Sequence, residues 1–217
     1  MSFRSERLLV FCLALALYGA TTHPRVFSAG NDASRWAQVE SLVDHGRASI
    51  ERSRFRGTVD QVRVGGREYS NKPPLLGLAG AALYAPLRAL TGWRLADPAT
   101  GGRVIWVLTL LLVGVPAAAT VTLVDAAHER GGVGRGMRAI LALALGAGTL
   151  LFAFAGTFNN HVPAALLLLG ALVLVGFDQV ISPILTRLAQ GDDATSGTQS
   201  LLTSFSNWRW IIFGTAL

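Results

Sequence analysis

The chain has 217 residues, of which 51% are hydrophobic and only 15% are charged, and its formal net charge is +6. A soluble domain usually carries about 25% charged residues, so this composition argues against an ordinary soluble enzyme. The basic residues lie in short segments between apolar runs rather than on one face of a domain, which argues against a nucleic-acid partner.

The N-terminal apolar stretch is the first predicted membrane element. Arg4 and Arg7 precede an uncharged run over residues 8–20, a pattern that fits either a cleaved signal peptide or an uncleaved anchor. We expect an uncleaved transmembrane helix over residues 8–22, because later segments are also apolar enough to lie in a membrane. In both cases residue 23 emerges on the outer face.

A long outer loop, residues 23–103, comes next. Asn31 or Asp32 can cap a helix there, because a short side-chain oxygen accepts the free amide hydrogens of a first turn. Apolar side chains then recur at helical spacing from Trp36 onward, and Gly46 supplies an end. The pattern predicts an amphipathic helix lying against the membrane surface.

Two further elements are predicted in the same loop. Residues 62–69 indicate a tight β-hairpin turning on Gly65 and Gly66. The apolar helix over residues 73–87 has only about 15 uncharged residues, which suits a re-entrant or interfacial helix better than a span. That choice puts the arginine-containing segment 125–138 inside, as the positive-inside rule prefers, although the basic residues of the outer loop oppose it.

Three transmembrane helices are predicted within residues 104–185. The uncharged runs 104–124 and 139–158 contain 21 and 20 residues. Crossing the hydrocarbon core takes about 20 apolar helical residues, so both runs are long enough to span. A third, slightly shorter run begins at Val162.

A polar inner loop is expected over residues 186–207, and residues 208–217 resemble the start of a further, truncated transmembrane helix. The expected fold is an all-α integral membrane protein, a multi-pass helical bundle with interfacial helices in a long first outer loop. The expected localisation is the cell (inner or plasma) membrane, with the lipid bilayer as a partner.

The first candidate for chemistry is Asp32, about ten residues past the first apolar helix. A carboxylate there could act as a general base toward an acceptor hydroxyl or amine, or could hold a metal. Alternatively, Asp32 caps the amphipathic helix and pairs with Arg35 one turn later.

A second candidate group surrounds Lys72, the only lysine among nineteen basic residues. A lysine is a compact point charge suited to phosphate, and a lone lysine before two prolines suggests a specific requirement. The neighbouring Tyr69 and Asn71 could line the same site. Alternatively, Lys72 is an ordinary lysine whose ammonium reaches from the interface into water.

A third polar group, Asn159, Asn160 and His161, lies between the last two predicted spans. Polar side chains at a membrane boundary can line a site or can form a plain polar turn. No Cys and His set has the spacing of a zinc site, so we expect no metal-ligand residues; a divalent cation is possible but not favoured.

The order of these groups resembles the membrane-embedded C-type glycosyltransferases, especially the branch that uses polyprenyl-phosphate sugars, such as the protein mannosyltransferases and the lipid A aminoarabinose transferases. The first-loop motif of that family, Asp-Glu-x-Arg-Tyr-Ala, is matched by the segment that starts at Asp32 and contains Arg35. The Lys-Pro motif of the family is matched by Lys72 and Pro73. The likeness covers most of the chain in layout but about a dozen residues in identity.

The resemblance implies that Asp32 is the catalytic carboxylate and that Arg35 and Lys72 bind the phosphate of a lipid-linked donor. Ala33 and Asn71 stand where the family has acidic residues. A second acidic site of the family is replaced by Asn159 and its two neighbours. These departures make a metal-dependent reaction less expected and leave open an altered or lost activity.

The resulting hypothesis is a glycosyltransferase that moves a sugar from a polyprenyl-phosphate donor to an unknown acceptor at the outer membrane face. The alternatives are a non-enzymatic multi-pass membrane protein, such as a transporter or assembly subunit, and an inactive fragment of the glycosyltransferase. A convergence of Asp32, Arg35 and Lys72 would favour the enzyme, whereas Lys72 pointing away from Asp32 would favour the alternatives.

Overall fold

The computed structural model describes residues 3–26 and 30–175, with side chains described over 5–26 and 30–173. The remainder of the fourth predicted span, the polar inner loop 186–207 and the final helix 208–217 lie outside the described residues. The elements are, in chain order, α1 Phe3–Thr21, α2 Asn31–Asp44, β1 Gln61–Val64, β2 Arg67–Ser70, α3 Pro74–Thr91, α4 Gly101–Thr109, a π-helical turn Leu110–Gly114, α5 Val115–Arg130, α6 Arg135–Gly148, α7 Leu150–Ala155 and α8 His161–Val175.

Contacts divide the chain into two compact units after Leu167. The first unit contains α1 to α7, the hairpin and the first turns of α8. The described part of the second unit is the remainder of α8 alone. Every residue discussed below as part of a site belongs to the first unit.

The prediction of a multi-pass membrane bundle is wrong. Within the described residues, only the continuous helix Gly101–Arg130 is long and apolar enough to cross a membrane. In α1 the first turns carry Glu6 and Arg7, which leaves 14 residues from Leu8 to Thr21, or about 21 Å of uncharged helix. That length is short of a hydrocarbon core of about 30 Å.

The third predicted span fails for a different reason, because residues 139–158 do not form one helix. Thr149 has extended backbone angles (φ −123°, ψ 177°) that end α6, and its hydroxyl accepts a hydrogen bond from the Leu151 amide to start α7. A threonine side chain that caps a new helix competes with continuation of the old one. The uncharged run is therefore divided between the C-terminal part of α6, which ends at Gly148, and the six-residue helix α7.

The two local elements of the predicted outer loop are confirmed. Helix α2 covers the amphipathic pattern, and β1 pairs with β2 in an antiparallel hairpin. Gly65 and Gly66 have φ values of 57° and 77°, the left-handed region that a two-residue hairpin turn requires.

Close packing of α2 on α3 holds this region together. A Cβ at Gly80 would lie 2.8 Å from Val39 Cγ2 and 3.1 Å from Phe158 Cζ, so only glycine fits. The Phe158 ring also stacks on Trp36 at a centroid distance of 4.1 Å, and both rings are buried. The segment between α7 and α8 is thereby fixed against the first half of α2.

Candidate functional site

The N-terminal turns of α2 bury two charged residues. Arg35 is 3% exposed and Asp32 is 6% exposed. Gly30 is the N-cap of α2 and makes no side-chain capping bond, so Asn31 and Asp32 lie in the first turn of the helix and not at the cap position predicted for them. Asp32 lies instead in the first turn, where the helix dipole stabilises a negative charge.

The hairpin brings Asp60 and Lys72 together. Gln61 opposes Ser70 in the register, so the residue before β1 and the residues after β2 emerge side by side. The Asn71 amide donates to the Asp60 carbonyl at 3.3 Å, and Lys72 Nζ lies 2.8 Å from Asp60 Oδ2. The side chains of Lys72 and Asp60 are 17% and 26% exposed, so the pair is reachable from solvent.

Ser34 fastens this hairpin end to α2. Its hydroxyl donates to the Asp60 carbonyl at 2.6 Å and lies 2.6 Å from the Ser70 hydroxyl. Ser70 Oγ also accepts from the Lys72 amide at 3.2 Å. These bonds fix the backbone of Asp60 and Lys72 beside the buried turn that carries Arg35.

Asn160 joins the same group from the distant end of the unit. Arg35 Nη2 donates to Asn160 Oδ1 at 2.8 Å, and Arg35 Nη1 donates to the Asn31 carbonyl at 3.2 Å. The guanidinium Nε is buried and has no acceptor among the described residues. Arg35 therefore retains a hydrogen-bonding capacity that its neighbours do not use.

Asn159 and His161 have other roles. The Asn159 amide donates to the carbonyls of Phe154 and Thr157, at 2.7 and 2.9 Å, and its oxygen accepts from the His161 amide. These bonds shape the connection between α7 and α8. The His161 side chain is exposed and its ring lies 5.2 Å from that of Phe154.

Charge interactions couple the members of the site. Burial lowers the pKa of Arg35, while the carboxylates of Asp32 and Asp60 favour its charged form. A hydrogen bond from Lys72 holds the pKa of Asp60 below its ordinary value, and Asn71 and Arg35 act in the same direction. The charged forms of Arg35 and Asp60 therefore favour each other.

We call Asp32, Arg35, Asp60, Lys72 and Asn160 the site cluster. Three sequence-predicted groups contribute to it, and Asn71 borders it through its bond to Asp60. Tyr69 lies half-buried on β2 opposite Val62, with no hydrogen bond to the site cluster among the described residues.

Sequence reasoning missed Asp60, which has no motif of its own. The one available clue was its place immediately before a predicted hairpin strand, with Lys72 shortly after the partner strand. In the described part of the chain, no three His, Cys, Asp or Glu residues group closely enough to hold a metal ion.

Comparisons with known proteins gave no match: neither a family model, nor a curated protein, nor a solved structure resembles this chain significantly.

Proposed function

We propose that this chain transfers a sugar from a polyprenyl-phosphate donor to an acceptor hydroxyl or amine at the outer face of a cell membrane. The observation that carries the proposal is the hydrogen bond between Arg35 and Asn160, 125 residues apart, beside the Asp60–Lys72 pair. This arrangement of the hydrogen bond beside the ion pair brings together the three separate segments that the sequence singled out for chemistry.

The burial of the site cluster supports this chemistry. Charged side chains are almost never fully buried unless they are paired or functional, because burial costs several kcal/mol of hydration energy. Arg35 meets that cost with hydrogen bonds to two neutral oxygens and with the nearby carboxylates of Asp32 and Asp60, while its buried Nε stays available to an anion. A preorganised cation of this kind stabilises charge that develops during a reaction.

The proposed reaction is a direct displacement at the anomeric carbon. Asp32 takes the proton of the acceptor, the acceptor atom forms a bond to the sugar carbon, and the bond from that carbon to the phosphate oxygen breaks. The bonding electrons leave with the lipid phosphate, whose added negative charge Arg35 and Lys72 stabilise. Attack from the side opposite the leaving group inverts the configuration.

A membrane setting is supported by the exposed apolar surface of the first unit. Leucines lie at least half exposed on five helices of this unit; they are Leu8 and Leu13 on α1, Leu75, Leu78 and Leu90 on α3, Leu143 on α6, Leu150 on α7 and Leu167 on α8. Extended exposed apolar surface in a protein marks contact with lipid or with another protein. In this proposal the helix Gly101–Arg130 anchors the chain in the bilayer.

The test is sugar release from a polyprenyl-phosphate donor by the full chain in detergent micelles. Asp32→Asn removes the base and Lys72→Gln removes the phosphate-facing charge, and each should lower the rate by about 100-fold or more. Glu68→Gln is the matched control, because Glu68 lies on the same hairpin and pairs with Arg63 instead. Unchanged transfer in both site variants would end the proposed role of the site cluster, and no transfer by the unchanged chain would favour the non-enzymatic alternative.

A further inference from the structure

The carboxylate of Asp60 lies among groups that bind anions. Lys72 Nζ is 2.8 Å away, the Asn71 side chain hydrogen-bonds to Asp60, and Arg35 acts on it electrostatically. The N-terminus of α2 is also close, because a Cβ on its N-cap, Gly30, would lie 2.8 Å from Asp60 Oδ2. Asp60 is therefore the negatively charged group among these donors.

The same donors suit phosphate. A lysine, a guanidinium, an amide and a helix N-terminus are the groups with which proteins hold phosphate oxygens. The unused and buried Nε of Arg35 adds a donor that the carboxylate does not satisfy. A phosphate has more acceptor oxygens than a carboxylate and can use this extra donor.

Charge balance makes the two anions competitors. The site cluster contains two cations, Arg35 and Lys72, and two carboxylates, Asp32 and Asp60, so its formal charge is zero. A phosphate entering without any rearrangement would add negative charge to a neutral set. Phosphate binding is favoured when the Lys72 ammonium turns away from Asp60 and contacts the phosphate instead.

We propose that Asp60 is an internal stand-in for phosphate, holding Lys72 in the empty site and yielding it when a phosphate group binds. The inference rests on the proposed function in taking the donor phosphate as the incoming group. Asp60 is then a positioning residue that sets phosphate affinity through Lys72. Its exposed position, 26% of the side chain, allows the exchange without opening the core.

This role predicts a gain rather than a loss on mutation. Asp60→Asn keeps the shape of the side chain and leaves the Asp60 carbonyl in place for Ser34 and Asn71. Removing the charge frees Lys72, so phosphate should bind about fivefold more tightly, the scale of a competing ion pair near the surface. If Asp60 only stabilised the fold or only accepted a proton, Asp60→Asn would bind phosphate as tightly as the unchanged chain or more weakly.

Lys72 can be observed by itself because it is the only lysine in the chain. Reductive methylation with ¹³C-formaldehyde labels Lys72 and the chain's α-amine, and the methylated lysine keeps its positive charge. Titration of the full chain in maltoside micelles with inorganic phosphate, followed by NMR of the Lys72 signal, gives the dissociation constant directly.

Three variants make the measurement selective. We expect Asp60→Asn to lower the dissociation constant about fivefold, and Asp60→Glu to restore a value near that of the unchanged chain. Glu68→Gln makes the same change in net charge on the same hairpin and should leave the constant unaltered within about twofold. Equal gains in Asp60→Asn and Glu68→Gln, or no gain in Asp60→Asn, would overturn the inference.

A second titration with dihexanoyl phosphatidylglycerol distinguishes a lipid headgroup from free phosphate. A gain with this lipid as well as with inorganic phosphate supports the inference for a lipid-linked phosphate such as the proposed donor, and a gain with inorganic phosphate alone supports it for free phosphate. The readout needs no sugar transfer, so the two proposals fail separately. Tighter phosphate binding with no transferase activity removes only the proposed function, and transfer without a gain in Asp60→Asn removes only the role of Asp60.

Discussion

The first unit contains two clusters of charged residues that are built differently. One is the site cluster. The other, which we call the terminal cluster, lies where the start of α1 meets the turn between α5 and α6. It contains three acids and three arginines, namely Glu6, Arg7, Asp125, Glu129, Arg135 and Arg138. Arg138 lies 3.2 Å from Glu129, 3.3 Å from Glu6 and 3.6 Å from Asp125, and it is buried.

The partners of the buried arginine distinguish the two clusters. Arg138 is surrounded by carboxylates. An acid near the C-terminus of α5 and an arginine near the N-terminus of α6 each interact unfavourably with the dipole of their own helix, and pairing them across the α5–α6 turn compensates for this. Arg35 donates to neutral oxygens and keeps an unused Nε. The buried arginine of the terminal cluster is thus paired with acids, whereas the buried arginine of the site cluster leaves a hydrogen-bond donor available to a ligand.

The largest expected effect comes from removing Arg138. Arg138→Leu leaves three acids around a buried position without their shared cation, which should lower the unfolding free energy by about 3 kcal/mol. Arg135→Ala is the matched control, because Arg135 is 68% exposed and should cost less than about 1 kcal/mol. Denaturant titration in micelles measures both, and equal losses would show that Arg138 has no central role.

Replacing Arg35 should have the opposite balance of effects, with a larger loss of activity than of stability. Arg35→Lys keeps the charge but cannot reach both Asn160 and the Asn31 carbonyl, so we expect sugar transfer to fall about 100-fold. The unfolding free energy should change by only about 1 kcal/mol. A loss of stability as large as that of Arg138→Leu, with activity retained, would make the two clusters alike.

The packing beneath the site cluster gives a third contrast. Gly80→Ala places a methyl group 2.8 Å from Val39 Cγ2, and overpacking of this kind costs about 1–3 kcal/mol. Gly136, near the terminal cluster, has nothing within 4 Å of the same position. Gly136→Ala should therefore be neutral or slightly stabilising in thermal unfolding, since alanine favours a helix. A smaller loss for Gly80 than for Gly136 would contradict this packing.

The smallest expected effect is the acid dependence of the Asp60–Lys72 ion pair in the site cluster. The hydrogen bond from Lys72 lowers the pKa of Asp60, so the pair contributes stability above the unfolded-state value of about 4 and loses it as pH falls through the folded pKa. The unfolding free energy of the unchanged chain minus that of Asp60→Asn should be positive and flat from about pH 5 to 8. It should shrink below about pH 4. A difference that grows in acid would have the wrong sign.

Local elements were predictable because their causes lie within a few residues. Gly65 and Gly66 determine the turn of the hairpin through their own φ angles, and the spacing of Trp36 and Val39 determines the buried face of α2. The number of membrane-spanning helices was not predictable from the length of apolar runs, and the multi-pass prediction was wrong for that reason. Thr149 divides one run by a single extended residue, which no count of uncharged positions reveals.

The site was predictable in part. Arg35 and Lys72 stood out by sequence, but whether Asn159 or Asn160 faces Arg35 depends on the side-chain directions in the α7–α8 connection. The involvement of Asp60 depends on the hairpin register, because a shift by one residue would separate its carboxylate from Lys72.

Sequence patterns were enough to predict α2, the hairpin and an apolar helix over residues 104–124, which the structure extends to Gly101–Arg130, since each depends on backbone preferences and side-chain periodicity along a short stretch. The contact of Arg35 with Asn160 and the place of Asp60 beside Lys72 depend instead on tertiary packing. Those contacts follow from the stacking of Trp36 on Phe158 and from the glycine-dependent approach of α2 to α3. Such packing joins residues far apart in the chain, and no local pattern records it.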